Sequence, residues 1–140
     1  MNVLLHFLIN IFLAYLVNLG PADILLVGLG GILIDIDHII YLIFISKSFS
    51  IKKMLLLHNK NYKSHSPGFY IFHTIEFIVL FIIIGYFMSN WIFLIAVGFL
   101  LHWIVDALDY LFFYRSLYPW IKYHSLAYIL IRKPERIFVN

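Results

Sequence analysis

Long apolar runs broken by short polar ones set the pattern of this chain. Four stretches, about 3–19, 24–45, 69–88 and 91–113, are dominated by Leu, Ile, Val and Phe and hold no Lys or Arg. Each approaches or exceeds the roughly 20 residues that a helix needs to cross a bilayer. Asn18-Leu19-Gly20-Pro21 closes the first stretch, and Asp23 is placed to cap the second. Ser66-Pro67-Gly68 precedes the third, and Ser89-Asn90 makes a very short turn into the fourth. The pattern predicts an all-α, polytopic membrane bundle of about four transmembrane helices, organised as one domain over 1–140. The first stretch has neither a basic leader nor a small-residue cleavage site, so it is expected to be a retained span rather than a signal peptide.

Composition supports lipid as the solvent. The chain is 64% hydrophobic and 12% charged, with a mean hydropathy of +0.96, where a soluble domain is roughly half apolar and about a quarter charged. Cysteine is absent, which excludes disulfides and thiolate ligands.

All ten Lys and Arg fall in two windows, a basic loop over 46–68 and a basic interfacial tail over 114–140. By the positive-inside rule both windows belong in the cytoplasm. Two spans separate them, which is the even number this requires, and the same count puts both termini inside. The segments Ile51–Leu57 and Trp120–Val139 mix apolar and basic residues as surface-lying amphipathic segments do. This arrangement points to anionic lipid heads as the partner and not to nucleic acid, despite a pI of about 9.1.

The polar residues inside the spans change the picture. His6, Asp35, Asp37, His38, His73, Glu76, His102, Asp106 and Asp109 all lie there, without one Lys or Arg to neutralise the acids. Ionisable groups in a span are costly and are functional candidates by default. On a helix, residues three, four or seven apart share a face. His102, Asp106 and Asp109 therefore form a stripe, His73 and Glu76 a pair, and Asp35 and His38 another, with Asp37 beside that pair but off its stripe. Imidazole and carboxylate at such spacings build metal sites between facing helices, and nitrogen and oxygen donors without sulfur suit zinc, manganese or iron. The topology drawn from Lys and Arg alone brings these residues to one depth near the cytoplasmic face. Interhelical hydrogen bonding remains the plain alternative for each pair.

The run Gly30-Gly31-Ile32-Leu33-Ile34-Asp35-Ile36-Asp37-His38 resembles the G-x-L-x-P-D-x-D-H signature of a family of small inner-membrane metal-dependent hydrolases. That family has a LexA-regulated bacterial member and archaeal relatives. His58…His65-Ser66 is similar to its loop motif H-R-G-x-T-H-S, Gly98-x-x-x-His102-x-x-x-Asp106 to its last-helix motif, and His6 to an early family histidine. Ile34 stands where the family has Pro, and the Arg-Gly after the first loop histidine is missing. The family is distantly similar to zinc-dependent phospholipase C and P1-type nucleases.

Spacing and resemblance together give a metal set of His6, Asp35, His38, His65, His73, His102 and Asp106, with Asp37, Glu76 or Asp109 as the base. The resemblance implies a membrane-bound, metal-dependent hydrolase acting on a phosphoester such as a lipid head group, with zinc the first expectation among divalent metals. A proton or divalent-metal transporter is the rival reading, countered by the apolar outer half of each span. A structural or haem-binding protein is the third, countered by the wealth of carboxylates.

Overall fold

A computed structural model of the chain describes residues 3–47, 50, 70–115, 117 and 124–127. Its main helical segments are α1 (Val3–Leu16), α2 (Pro21–Leu33), α3 (Ile36–Ser46), α4 (Ile75–Met88) and α5 (Asn90–Tyr114), and no strand occurs among the described residues. The basic loop's amphipathic segment, His58 and His65 lie outside the described residues, as does the tail apart from 115, 117 and 124–127.

Local chemistry fixes the helix ends. Asn18 takes a left-handed φ of 58° and stops α1. Pro21 opens α2 with Gly20 as its N-cap, so Asp23 sits in the first turn and is not the cap expected from the sequence. Ser89 serves two helices, ending α4 and capping α5, where its hydroxyl accepts from the Trp91 N–H at 3.2 Å. At Ile34-Asp35 a turn separates α2 from α3, yet the two run on as a 24-residue apolar stretch, Pro21–Phe44.

That stretch and Asn90–Phe112 are long and apolar enough to cross a membrane. The other two are shorter than the 3–19 and 69–88 expected. α1 and α4 have 14 residues each, about 21 Å of helix. Asn18 ends the one, and Thr74 starts the other by accepting from the Phe77 N–H at 3.4 Å.

α5 is the hub. It packs against α2 and α4 and, less extensively, α1, while α1 also lies along α2. Where α2 and α5 cross, a Cβ on Gly30 would run into the Ile95 carbonyl and one on Gly98 into the Val27 carbonyl. Only glycine lets the backbones approach so closely. Two apolar clusters flank the crossing, one around Ala14, Val27 and Leu94, the other around Ile34, Ile78 and Phe99.

Beside these apolar clusters the interior also carries polar side chains, while the outside is largely apolar. α1 buries His6, Asn10 and Ala14, a stripe at spacing four, and exposes Leu4, Leu8 and Phe12. Phe87 and Phe112 are 80% and 81% exposed. A water-soluble helix would show the reverse pattern.

Candidate metal centre

The buried stripe of α1, the α2–α3 turn, the turn before α4 and the middle of α5 meet in one cluster of imidazoles and carboxylates. His6, His73 and His102 are each no more than 2% exposed. His102 projects from α5 one turn after Gly98. The close crossing there lets its Nδ1 meet the Gly31 carbonyl of α2 at 2.7 Å. A carbonyl only accepts, so Nδ1 carries a proton and Nε2 is the nitrogen turned toward the carboxylates. That Nε2 stands 3.3 Å from Asp106 Oδ2, and the other Asp106 oxygen stands 3.2 Å from His6 Nε2. The His6 and His102 rings lie 3.7 Å apart, centroid to centroid.

A second group forms where helices break. Asp35 Oδ1 is 3.6 Å from His38 Nε2 and 3.6 Å from His73 Nε2. The same oxygen is 3.7 Å from His102 Nε2, so Asp35 lies between the two groups. Two ligand atoms each about 2.0–2.2 Å from one ion stand at most about 4.4 Å apart. The acid-to-imidazole separations of 3.2–3.7 Å fall inside that limit. His6, His102 and Asp106 make one set of three donors of this kind, and Asp35, His38 and His73 make another.

His73 is oriented from behind. Its Nδ1 lies 3.1 Å from Asp37 Oδ2, an oxygen that also accepts from the Phe72 N–H at 2.9 Å. The carboxylate fixes the tautomer and turns Nε2 toward Asp35. Its own carbonyl accepts from Trp103 Nε1 at 3.0 Å, which ties the turn before α4 to α5.

Three buried atoms in the cluster lack a hydrogen-bond partner, His6 Nδ1, Asp37 Oδ1 and His73 Nε2. Each orphan costs about 1–3 kcal/mol, and for His73 Nε2 a cation between it and Asp35 would remove that cost. The donor set therefore fits a divalent ion on its own chemistry.

Several expectations need amendment. His73 and Glu76 do not share a helical face, because α4 begins only at Ile75 and His73 belongs to the turn before it. Glu76 points elsewhere, accepting from the Ser125 hydroxyl at 2.8 Å and from the Leu126 and Ala127 N–H groups at 2.9 and 3.1 Å. Asp109 is half-buried and joins neither donor set.

Other contributors escaped the sequence reading. Asn10 is fully buried, and its Nδ2 donates to the Gly98 carbonyl at 2.9 Å and more weakly to the Val27 carbonyl at 3.4 Å. Its position four residues after His6, polar amid Leu and Phe, was the available signal. Tyr70 stacks 3.9 Å from the His38 ring. The backbone carbonyl of Gly31 and the N–H of Phe72 carry no side-chain signal at all.

No family model, no curated protein and no solved structure matches this chain.

Proposed function

We propose that this chain is a membrane-embedded hydrolase of phosphoesters, lipid head groups foremost, working at a divalent-metal centre made by the His/Asp cluster near the cytoplasmic face. One observation carries the reading. Imidazole Nε2 atoms of His6, His38, His73 and His102 converge on Asp35 and Asp106 at 3.2–3.7 Å. Two of those rings have Nδ1 held from behind, by Asp37 and by the Gly31 carbonyl. Such outer partners are what ligating histidines ordinarily have, and His73 Nε2 is buried with Asp35 Oδ1 at 3.6 Å, just beyond hydrogen-bond reach and within the span of a shared ion.

Nitrogen and oxygen donors without sulfur favour zinc, with manganese and iron next. One ion per donor set is the natural division, with Asp35 between them. Such an ion supplies Lewis acidity toward a phosphoryl oxygen and lowers the pKa of a water to near neutrality. His38 is the most open of the ligands, its side chain 32% exposed, and Asp106 follows at 24%. A substrate phosphate would approach along that edge. With Asp37 committed to His73 and Glu76 to residues 125–127, Asp109 is the acid left free to serve as base. The resemblance of Gly30–His38 and of Gly98…His102…Asp106 to the inner-membrane hydrolases supports the reaction class. The positive-inside distribution of Lys and Arg supports the cytoplasmic side.

The test is to purify the protein in mild detergent without chelator and measure bound metals by mass spectrometry. A His102→Ala/Asp106→Ala double variant is measured alongside. Stoichiometric zinc, manganese or iron that falls in the variant, together with release of phosphate or a phosphorylated head group from added phosphoesters, is the expected result. Absence of metal after reconstitution with each ion would sink the reading. Metal without turnover of any phosphoester would remove the hydrolase and leave metal transport as the better account.

A further inference from the structure

The C-terminal window reads in the sequence as a basic anchoring surface, and His124 within it as an interfacial residue. The structure gives the short piece 124–127 a different place. Its carbonyl at His124 accepts from the Ile75 N–H at 2.9 Å, one of the first N–H groups of α4, which the helix itself cannot satisfy. The return contact is stronger. Glu76, in the first turn of α4, receives the Ser125 hydroxyl and the Leu126 and Ala127 N–H groups, at 2.8, 2.9 and 3.1 Å. A carboxylate accepting two amides and a hydroxyl is a charge-assisted dock. It is a specific one, for it joins residues about 50 apart in the chain. It also sets the His124 ring 6.2 Å from the ring of His73, three residues before Glu76.

We propose that Glu76 is a positioning residue of the metal centre: it docks the segment His124–Ala127 onto the start of α4 and thereby stations His124 beside His73 as a further imidazole at the edge of the cluster. The inference rests on the metal-centre reading. It adds a part of the chain that neither the helical spacing nor the family motifs touch. Two consequences follow from the geometry. Undocking of the segment would take the His124 ring away from its place 6.2 Å from the His73 ring. The imidazole of His124 also joins the environment of whatever His73 holds.

Two measurements on the full-length protein in detergent test it. The first needs no metal: hydrogen exchange at the amides of Leu126 and Ala127, in the wild type and in Glu76→Ala and Glu76→Gln. Docking predicts slow exchange in the wild type, fast exchange in Glu76→Ala, and an intermediate rate in Glu76→Gln, which keeps one acceptor oxygen. Unchanged exchange in Glu76→Ala overturns the dock.

The second measures chelator extraction and the visible absorption bands of cobalt-loaded wild type, Glu76→Ala and His124→Ala. Extraction about tenfold faster in both variants, in the range found for outer partners of metal ligands, with the cobalt bands altered alike in both, is expected. Loss of amide protection with extraction and spectrum unmoved would reduce Glu76 to a structural tether and overturn its role at the metal. A wild type that binds no cobalt, zinc, manganese or iron sinks the metal centre and this role with it, while the exchange data still report whether the segment docks. Ser125→Ala, which removes a single hydrogen bond, guards against misfolding by giving the same changes in smaller measure.

Discussion

The two donor sets are built in opposite ways. His6, His102 and Asp106 come from the interiors of α1 and α5, rigid helices locked together at the Gly30–Gly98 crossing and by Asn10. Asp35, His38 and His73 come from places where helices break, the α2–α3 turn, the first turn of α3 and the turn before α4. The helical set is held by backbone packing, so its geometry follows from which small residues sit at the crossing. The broken set is held by individual hydrogen bonds, Asp37 to His73 and to the Phe72 N–H above all. If the cluster holds metal, the half fixed by backbone packing is suited to keep an ion and the half fixed by single hydrogen bonds to admit a ligand. The partial exposure of His38 points to the adjustable half as the side of entry.

Asp35 is where the comparison can be broken most severely. One of its oxygens faces His38, His73 and His102, so Asp35→Ala is expected to weaken metal binding in both halves. Titration with zinc should show affinity falling by more than about 100-fold, beyond the range for outer partners. Loss of only one equivalent of metal would mean that the two sets are independent.

Asp37→Asn comes next and strikes the broken half alone. With His73 no longer oriented by a full charge, affinity in that half should fall about 10–100-fold. The His6/His102/Asp106 set should retain its ion, which metal counting at graded chelator concentrations would reveal. An equal loss from both halves would show that Asp37 acts on the fold and not on His73.

The helical half has its own probe. Gly98→Ala puts a methyl against the Val27 carbonyl and the Gly30 Cα, and overpacking of this sort costs about 1–3 kcal/mol. Thermal unfolding in detergent should register that loss. The His102-to-Gly31 contact should suffer before anything near His73 changes, as imidazole NMR signals would report. A variant as stable as wild type would mean that the crossing is looser than its geometry implies.

Asn10→Ala is the mildest. It removes hydrogen bonds to the Gly98 and Val27 carbonyls, and interhelical bonds of this kind in membranes are worth about 0.6 kcal/mol and at most about 1.7. The orphaned Asn10 Oδ1 goes too, which offsets part of the loss. A small drop in unfolding temperature with metal content intact would confine Asn10 to holding α1 in register, and a large drop in metal would give it a share in aiming His6.

Helical spacing made some of the site readable in advance. His102 and Asp106, four apart, do face one another, and so do Asp35 and His38, three apart. The same rule misled at His73 and Glu76, because it assumes a helix that Thr74 does not let begin until Ile75. Asp37 stood off its stripe by spacing, and only the return of residues 72 and 73 beside the α2–α3 turn gives it an occupation. The loop histidines of the family-like motif lie outside the described residues.

By itself the sequence determined the all-helical character, the apolar exterior, two of the four long apolar stretches it predicted and the local His/Asp pairs, since periodicity and helix caps act over a handful of neighbouring residues. The tertiary structure alone decided how those pairs combine. It set His6 against Asp106, gave His102 the carbonyl of Gly31, aimed Asp37 at His73 and turned Glu76 toward residues 125–127. Each of these contacts joins positions 36 to 100 residues apart. Such contacts depend on where helices cross, and crossing is set by how closely two backbones can pack, a property of pairs of surfaces that no single stretch of chain contains.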